Sequence, residues 1–198
     1  PKQLAKELAS LEAAGRPLSS DRFKISELAH ITLPYHVILD TLEKLKHKRE
    51  QIFPTSQGIG ATYTDKLRRI GIRMRDFVNP EVFKEKLREN LEAKNREYAL
   101  LYGDEGFEPL DFEAIYSEYS RYAEILRPYV TDTAIYLSKA MAQGKKIVVE
   151  GAQATGLDVD FGAYPYITTS STTIPSLCIG ASIPPSKINK VVGVMGAY

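Results

Sequence analysis

The sequence predicts an α/β protein in which a large helical segment packs to one side of a parallel sheet. Three observations carry this. Helical patterning dominates residues 2–143. The run Lys146-Ile147-Val148-Val149 is β-branched, as in a strand buried in a parallel sheet. A glycine-bearing loop at 151–165, an apolar stretch at 174–180 and a second β-branched run, Val191-Val192-Gly193-Val194-Met195, follow it. The order strand, loop, helix, strand is that of an α/β layer, with the helical block packed beside it.

The elements follow from local chemistry. Leu4, Leu8 and Leu11 form one stripe, which predicts a helix over 2–14 that Gly15 and Pro17 end. Phe23 to Ile25 reads as a short strand. Residues 35–50 read as a helix, apolar early and basic late. Pro54, Ser56, Gly58 and Gly60 make 52–62 a loop with unusual backbone demands, and a helix is expected from Tyr63 to about Gly71. Asn79 is a natural cap and Pro80 suits a first helical position, so the next helix runs from there to about Tyr102. Two more helices are expected near 110–126 and 131–143. Seven tyrosines, at 98, 102, 116, 119, 122, 129 and 136, read as helix packing rather than a stacking platform.

Composition narrows the function. The 198 residues suggest one domain or a piece of one, split by pattern into a mostly helical part, 1–143, and a strand-loop-helix-strand part, 144–198. A net charge of +1 argues against a dedicated nucleic-acid binder, which carries a strong basic stripe. A lone cysteine, Cys178, cannot form an internal disulfide and is expected to be buried. Apolar runs are all too short to span a membrane, and no leader pattern opens the sequence, so a cytoplasmic protein is expected. The opening on Pro1 and the stop just after the last β-branched run read as the middle of a longer chain.

Three segments could carry chemistry. Thr55-Ser56-Gln57-Gly58-Ile59-Gly60-Ala61-Thr62-Tyr63 is a hydroxyl- and glycine-rich loop entering a helix, where N–H groups and the helix dipole favour an anion. Lys66, Arg68, Arg69 and Arg73 follow within three helical turns, and Arg69 and Arg73, four apart, are expected to share a helical face. A guanidinium suits phosphate because its planar fork donates two bonds at once. The bland alternative is a turn followed by a solvated basic helix. Glu150 to Asp160 follows a candidate strand, where α/β sheets bind ligands, and Gln153 offers a donor and an acceptor to a purine edge. Asp158 and Asp160 could hold a metal, but with no third carboxylate in the loop they are expected to bond backbone. Thr168 to Thr173 is six hydroxyls in a row, able to cap a helix or bind an anion. Gly103-Asp104-Glu105-Gly106 resembles the start of a phosphate loop, but Phe107-Glu108-Pro109 follows and no strand precedes it, so it reads as a helix-to-helix turn. His30, His36 and His47 show no ligand spacing and receive no role.

Together the motifs resemble the adenylosuccinate synthetase family. Ile25-Ser26-Glu27, Pro34-Tyr35-His36 and Leu39-Asp40 resemble the stretch ahead of its signature. Gly58-Ile59-Gly60-x-x-Tyr63-x-x-Lys66-x-x-Arg69 matches the signature except for Ala61, which stands where proline is usual. Glu150-Gly151-Ala152-Gln153, Leu157-Asp158-x-Asp160 and Gly162-x-Tyr164-Pro165-x-x-Thr168 resemble its second block, and Ile183-Pro184-Pro185 and Gly193 to Tyr198 continue it. The resemblance runs from about Ile25 to the end.

The resemblance implies part of a P-loop-NTPase-like parallel sheet and a ligase of purine biosynthesis, joining IMP to L-aspartate with GTP as co-substrate and Mg2+ as cofactor. It implies that Thr55, in a phosphate loop spanning 52–73, and Thr168 contact the IMP 5′-phosphate. Arg69 is implied to reach the IMP of the neighbouring subunit of a homodimer, and Gln153 to contact the purine and stabilise its 6-oxyanion. The family's GTP-phosphate loop and catalytic histidine lie N-terminal to the matched blocks, and its aspartate and guanine segments C-terminal. The chain is therefore expected to hold no metal ligand and to be inactive alone; a purine-binding paralogue without ligase chemistry, or a dimerisation module, is the alternative. Ala154 replaces a usual glycine and is expected to restrict the backbone there.

Overall fold

The computed structural model describes residues 1–47 and 56–196. Ten elements succeed one another: α1 (Lys2–Ala13), β1 (Ile25–Ser26), α2 (Pro34–His47), α3 (Ile59–Arg68), α4 (Met74–Phe77), α5 (Pro80–Tyr102), α6 (Phe112–Leu126), β2 (Val130–Thr131), α7 (Thr133–Ala142) and α8 (Ile174–Ala181). β1 and β2 pair in parallel, Ile25 opposite Val130 and Ser26 opposite Thr131. The fold is α/β, with a parallel sheet and many helices.

Local signals place most helices. Asn79 accepts from the Val82 N–H at the start of α5, Asp111 from Ala114 at α6, and Asp132 from Ile135 at α7. Each such cap is worth about 1 kcal/mol, because it satisfies an N–H that the helix itself leaves unpaired. α5 is the centre of the packing, against α2, α4 and α6, while α1 lies on α6. Its buried residues Phe83, Leu87, Asn90, Leu91, Lys94, Tyr98 and Tyr102 keep to one face. Phe77 and Phe83 meet edge to face at 4.9 Å, and Tyr98 meets Phe107 likewise at 5.5 Å. The tyrosines at 98, 102 and 119 are buried in this core; Tyr136, 45% exposed, is the exception.

Several expectations shift. The first strand lies at 25–26 rather than 23–25, because Ile25 is the residue that buries against β2. α3 begins at Ile59, not Tyr63, and ends at Arg68. Gly103–Glu105 is one 3-10 turn closed by Gly106 in the left-handed region, so the segment is the expected turn between helices. Lys146–Val149 and Val191–Met195 form no strand and pair with nothing among the described residues. Val148 is 94% exposed and Val194 96%. A strand needs neighbours to satisfy its N–H and C=O groups, and the described residues supply none to those runs. Cys178 is half-buried rather than buried. No helix among the described residues is long and apolar enough to cross a membrane.

Candidate functional site

The first candidate loop enters α3 through Gly58, whose φ is +76°. A Cβ there would stand 2.8 Å from the Val37 nitrogen and 2.9 Å from the His36 carbonyl carbon, so only glycine fits against α2. That approach lets the buried carboxylate of Asp40, on α2, accept the Gly58 N–H at 2.6 Å and also the Ala61 N–H. Burial pushes the Asp40 carboxyl up, and the two amide bonds oppose it. The amides opening α3 are thus capped by the chain's own anion, so a ligand phosphate at this loop does not use the Gly58 and Ala61 amides. Thr55 lies outside the described residues.

α3 ends in a chain reversal centred on Arg69, with φ 65° and ψ 26°. The Arg69 N–H donates to the Lys66 carbonyl at 3.1 Å, and the Ile70 N–H to the Asp65 carbonyl at 3.0 Å. This is a Schellman end, where glycine is the usual central residue. Arginine accepts a strain of about 1–2 kcal/mol there. Its side chain is exposed and meets no carboxylate among the described residues. Arg73, expected on the same helical face, instead lies past the reversal in extended backbone, at φ −89° and ψ 162°.

Beneath this turn lies a charged cluster that spacing alone does not reveal. Asp65 is 0% exposed. Its Oδ1 accepts from Lys94 Nζ at 2.7 Å, and its Oδ2 lies 3.0 Å from His36 Nε2. His36 Nδ1 accepts the Leu33 N–H at 2.9 Å, so the ring proton sits on Nε2 and points at Asp65. Burial lowers the His36 pKa, keeping the ring neutral, although Asp65 pulls the other way. Burial alone would raise the Asp65 carboxyl, but the bonds from His36 and Lys94 outweigh it and hold it below its ordinary value. A signal did exist: Lys94 falls on the apolar stripe of α5, between Leu91 and Tyr98, where a solvated lysine has no place.

The second candidate loop is organised by another buried carboxylate. Asp158 accepts the N–H groups of Asp160 at 2.9 Å, Phe161 at 3.2 Å, Thr172 at 2.6 Å and Thr173 at 3.3 Å, and the Ser171 hydroxyl at 2.8 Å. These bonds, the Asp160 amide foremost, hold its carboxyl far below the usual range. Asp158 therefore bonds backbone, as the missing third carboxylate suggested. The hydroxyl run serves the same purpose: Thr172 Oγ1 donates to the Ala154 carbonyl at 3.0 Å, and Thr173 starts α8 without a side-chain cap bond. Gly162 closes the loop where a Cβ would stand 2.5 Å from the Asp158 carbonyl oxygen. Ala154 is extended, at φ −104°, so the expected restriction falls elsewhere. The left-handed residue is its neighbour Gln153, at φ 69°, and its side chain is exposed.

The structure brings the two loops together at one point. A Cβ on Gly60 would stand 3.5 Å from Thr169 Cγ2 and 4.0 Å from Asp40 Oδ1, so the hydroxyl run lies against the start of α3. Thr168 is half-buried beside this contact, its N–H bound to the Leu157 carbonyl at 2.8 Å. Asp40, Asp65 and Asp158 are each spent on N–H, ammonium or hydroxyl donors. That donor set does not fit a magnesium ion, and no group of three metal-ligating side chains occurs among the described residues.

Fold and loops define an α/β protein with an exposed arginine and an exposed glutamine held in left-handed backbone. Such backbone clusters at ligand sites but also serves plain helix ends, as at Ser182, which ends α8 in the same region. The family model for adenylosuccinate synthetase matches residues 1–198, and the chain belongs to that family. It is 49% identical over 198 residues to the adenylosuccinate synthetase of Caldanaerobacter subterraneus, covering all of this chain and 46% of that protein. Identity is 46% to the Thermoanaerobacter sp. X514 enzyme, of which the chain covers 45%, and 44% to that of Clostridium botulinum strain 657, of which it covers 46%. The fully ligated adenylosuccinate synthetase structure from Plasmodium falciparum superposes with a TM-score of 0.81 at 32% identity, over 95% of this chain and 42% of that one. The chain therefore spans less than half the length of the relatives it matches.

Proposed function

We propose that these residues form part of the IMP site of an enzyme that joins IMP to L-aspartate, with GTP as phosphoryl donor. The observation that carries this is the family match over every residue, from 1 to 198. In this reading Thr55 and Thr168 bind the 5′-phosphate, and Arg69 reaches the phosphate of the IMP held by the partner in a cytoplasmic homodimer. Its exposed guanidinium, without a carboxylate among the described residues, supports the role. Gln153 donates to the purine 6-oxygen. Negative charge builds on that oxygen before it attacks the γ-phosphorus of GTP and releases GDP, and the amine of aspartate then displaces the phosphate from the purine. A donor already aimed at the developing charge lowers the barrier, because no solvent has to reorient. Magnesium, where bound, would supply positive charge to the transferring phosphates, and no group of three metal-ligating side chains among the described residues is placed to hold it.

Two tests apply. Calorimetric titration with IMP, with inosine as control, is expected to show binding that needs the 5′-phosphate. Arg69→Ala weakens it about ten- to hundredfold, as loss of a bond to a charged group does. Equal binding of inosine and IMP would refute the phosphate site. The 198 residues alone are expected to form no adenylosuccinate, since Gly103-Asp104-Glu105-Gly106 is a turn between helices rather than a phosphate loop after a strand. Product formed by the purified chain would overturn this.

A further inference from the structure

We propose that Asp65 is a positioning residue for Arg69, clamping the reversed turn that aims the guanidinium; this rests on the IMP reading of Arg69 given above. Two ends of one residue meet here. The Asp65 carbonyl accepts the N–H of Ile70 at 3.0 Å and of Gly71 at 3.1 Å, and so closes the left-handed turn whose centre is Arg69. The Asp65 carboxylate is tied to α5 through Lys94 at 2.7 Å and to α2 through His36 at 3.0 Å. His36 is fixed in turn by the Leu33 N–H, and Lys94 is only 3% exposed.

The turn works against its own residue type. An arginine at the centre of a Schellman end loses stability relative to glycine, so the conformation persists only where surrounding bonds impose it. Asn90 adds to that frame, donating to the Ile70 carbonyl at 2.9 Å from the same face of α5 as Lys94. A buried carboxylate between an ammonium and a neutral imidazole is costly to assemble, and deleting one partner leaves a charge uncompensated. Such a cluster adds little stability over an apolar one of the same volume, but it fixes direction. The direction fixed here is that of the last turn of α3, from which Arg69 projects.

The test is a double-mutant cycle in the full-length enzyme, read as IMP affinity by calorimetry and thermal stability by denaturation. Arg69→Ala is the reference and is expected to weaken IMP binding about ten- to hundredfold. Asp65→Asn is expected to weaken it about tenfold in the parent, and less than about twofold once Arg69 is already alanine. Inosine, which lacks the phosphate, is expected to bind measurably to none of these proteins. Lys94→Met repeats the loss and Lys94→Arg, which keeps the cation, restores most of the affinity; these serve if Asp65→Asn does not fold. Equal losses from Asp65→Asn or Lys94→Met with and without Arg69, accompanied by lower melting, would make the cluster a stability element only and overturn the inference while leaving the IMP reading intact. An Arg69→Ala protein that binds IMP as the parent does would overturn both.

Discussion

Two parts of the molecule hold their shape by opposite means. Up to β2 the chain is organised by apolar burial: Leu33, Phe77, Leu87 and Leu126 are each 0% exposed. Past residue 143 only Asp158 and Ile183 are buried among the described residues, and the order there comes from one carboxylate gathering four amides and a hydroxyl. The first kind of order is cooperative, since each side chain contacts many others. The second is local and directional, and it suits a loop that must present groups to a ligand. The difference teaches where the expected site residues can sit: Gln153 and Thr168 flank the polar hub, and Arg69 stands at the edge of the apolar part.

The largest test of that contrast compares two phenylalanines. Phe77→Ala removes a fully buried ring and is expected to cost about 3–5 kcal/mol in urea denaturation. Phe161→Ala, at 81% exposure, is expected to stay within about 0.5 kcal/mol. Equal costs would erase the distinction. Next, Asp158→Ala is expected to speed hydrogen exchange at the Asp160, Phe161, Thr172 and Thr173 amides while leaving Leu87 and Leu91 protected. Exchange rising at both sets would mean that the loop and the core unfold as one unit.

A smaller effect separates the buried charges from both. Burial lowers the His36 pKa, so the unfolded chain takes up its proton near pH 6.5 while the folded chain resists it. More protons then bind to the unfolded state, which means that the His36 contribution is complete above about pH 6.5 and is lost as pH falls through the folded value. Denaturation midpoints between about pH 7.5 and pH 5 are expected to fall for the parent, with a shallower slope for His36→Gln. The smallest effect is Arg69→Gly, which relieves the left-handed strain and is expected to stabilise by about 1 kcal/mol, a rise of about 2–4 °C in melting. A fall in melting would show that the arginine is held in the turn by contacts rather than merely tolerated there.

How far the sequence could be read depended on the range of the interaction. The cap at Asn79 was legible because it acts within three residues; Asp111 and Asp132 cap the next helices over the same short range, but the sequence reading placed those helices without naming their caps. Gly58 was legible as a backbone demand, but not as the point where Asp40 approaches from α2. The β-branched runs at 146–149 and 191–195 looked like strands, yet strand formation is decided by neighbours that a single segment cannot supply. Arg69 and Arg73 looked like one helical face, and a Schellman end at Arg69 split them, because nothing in the residue type announces left-handed arginine.

What the sequence determined by itself was the order of helices, the family motifs and the position of the turns, since propensity, capping and spacing act through neighbours along the chain. What only the tertiary structure decided was the fate of the charges. Asp65 meets His36 and Lys94 each across 29 residues, and Asp40 reaches Gly58 across 18. Buried ions must find partners to offset lost hydration, and which partners are in reach is fixed by packing, not by sequence spacing.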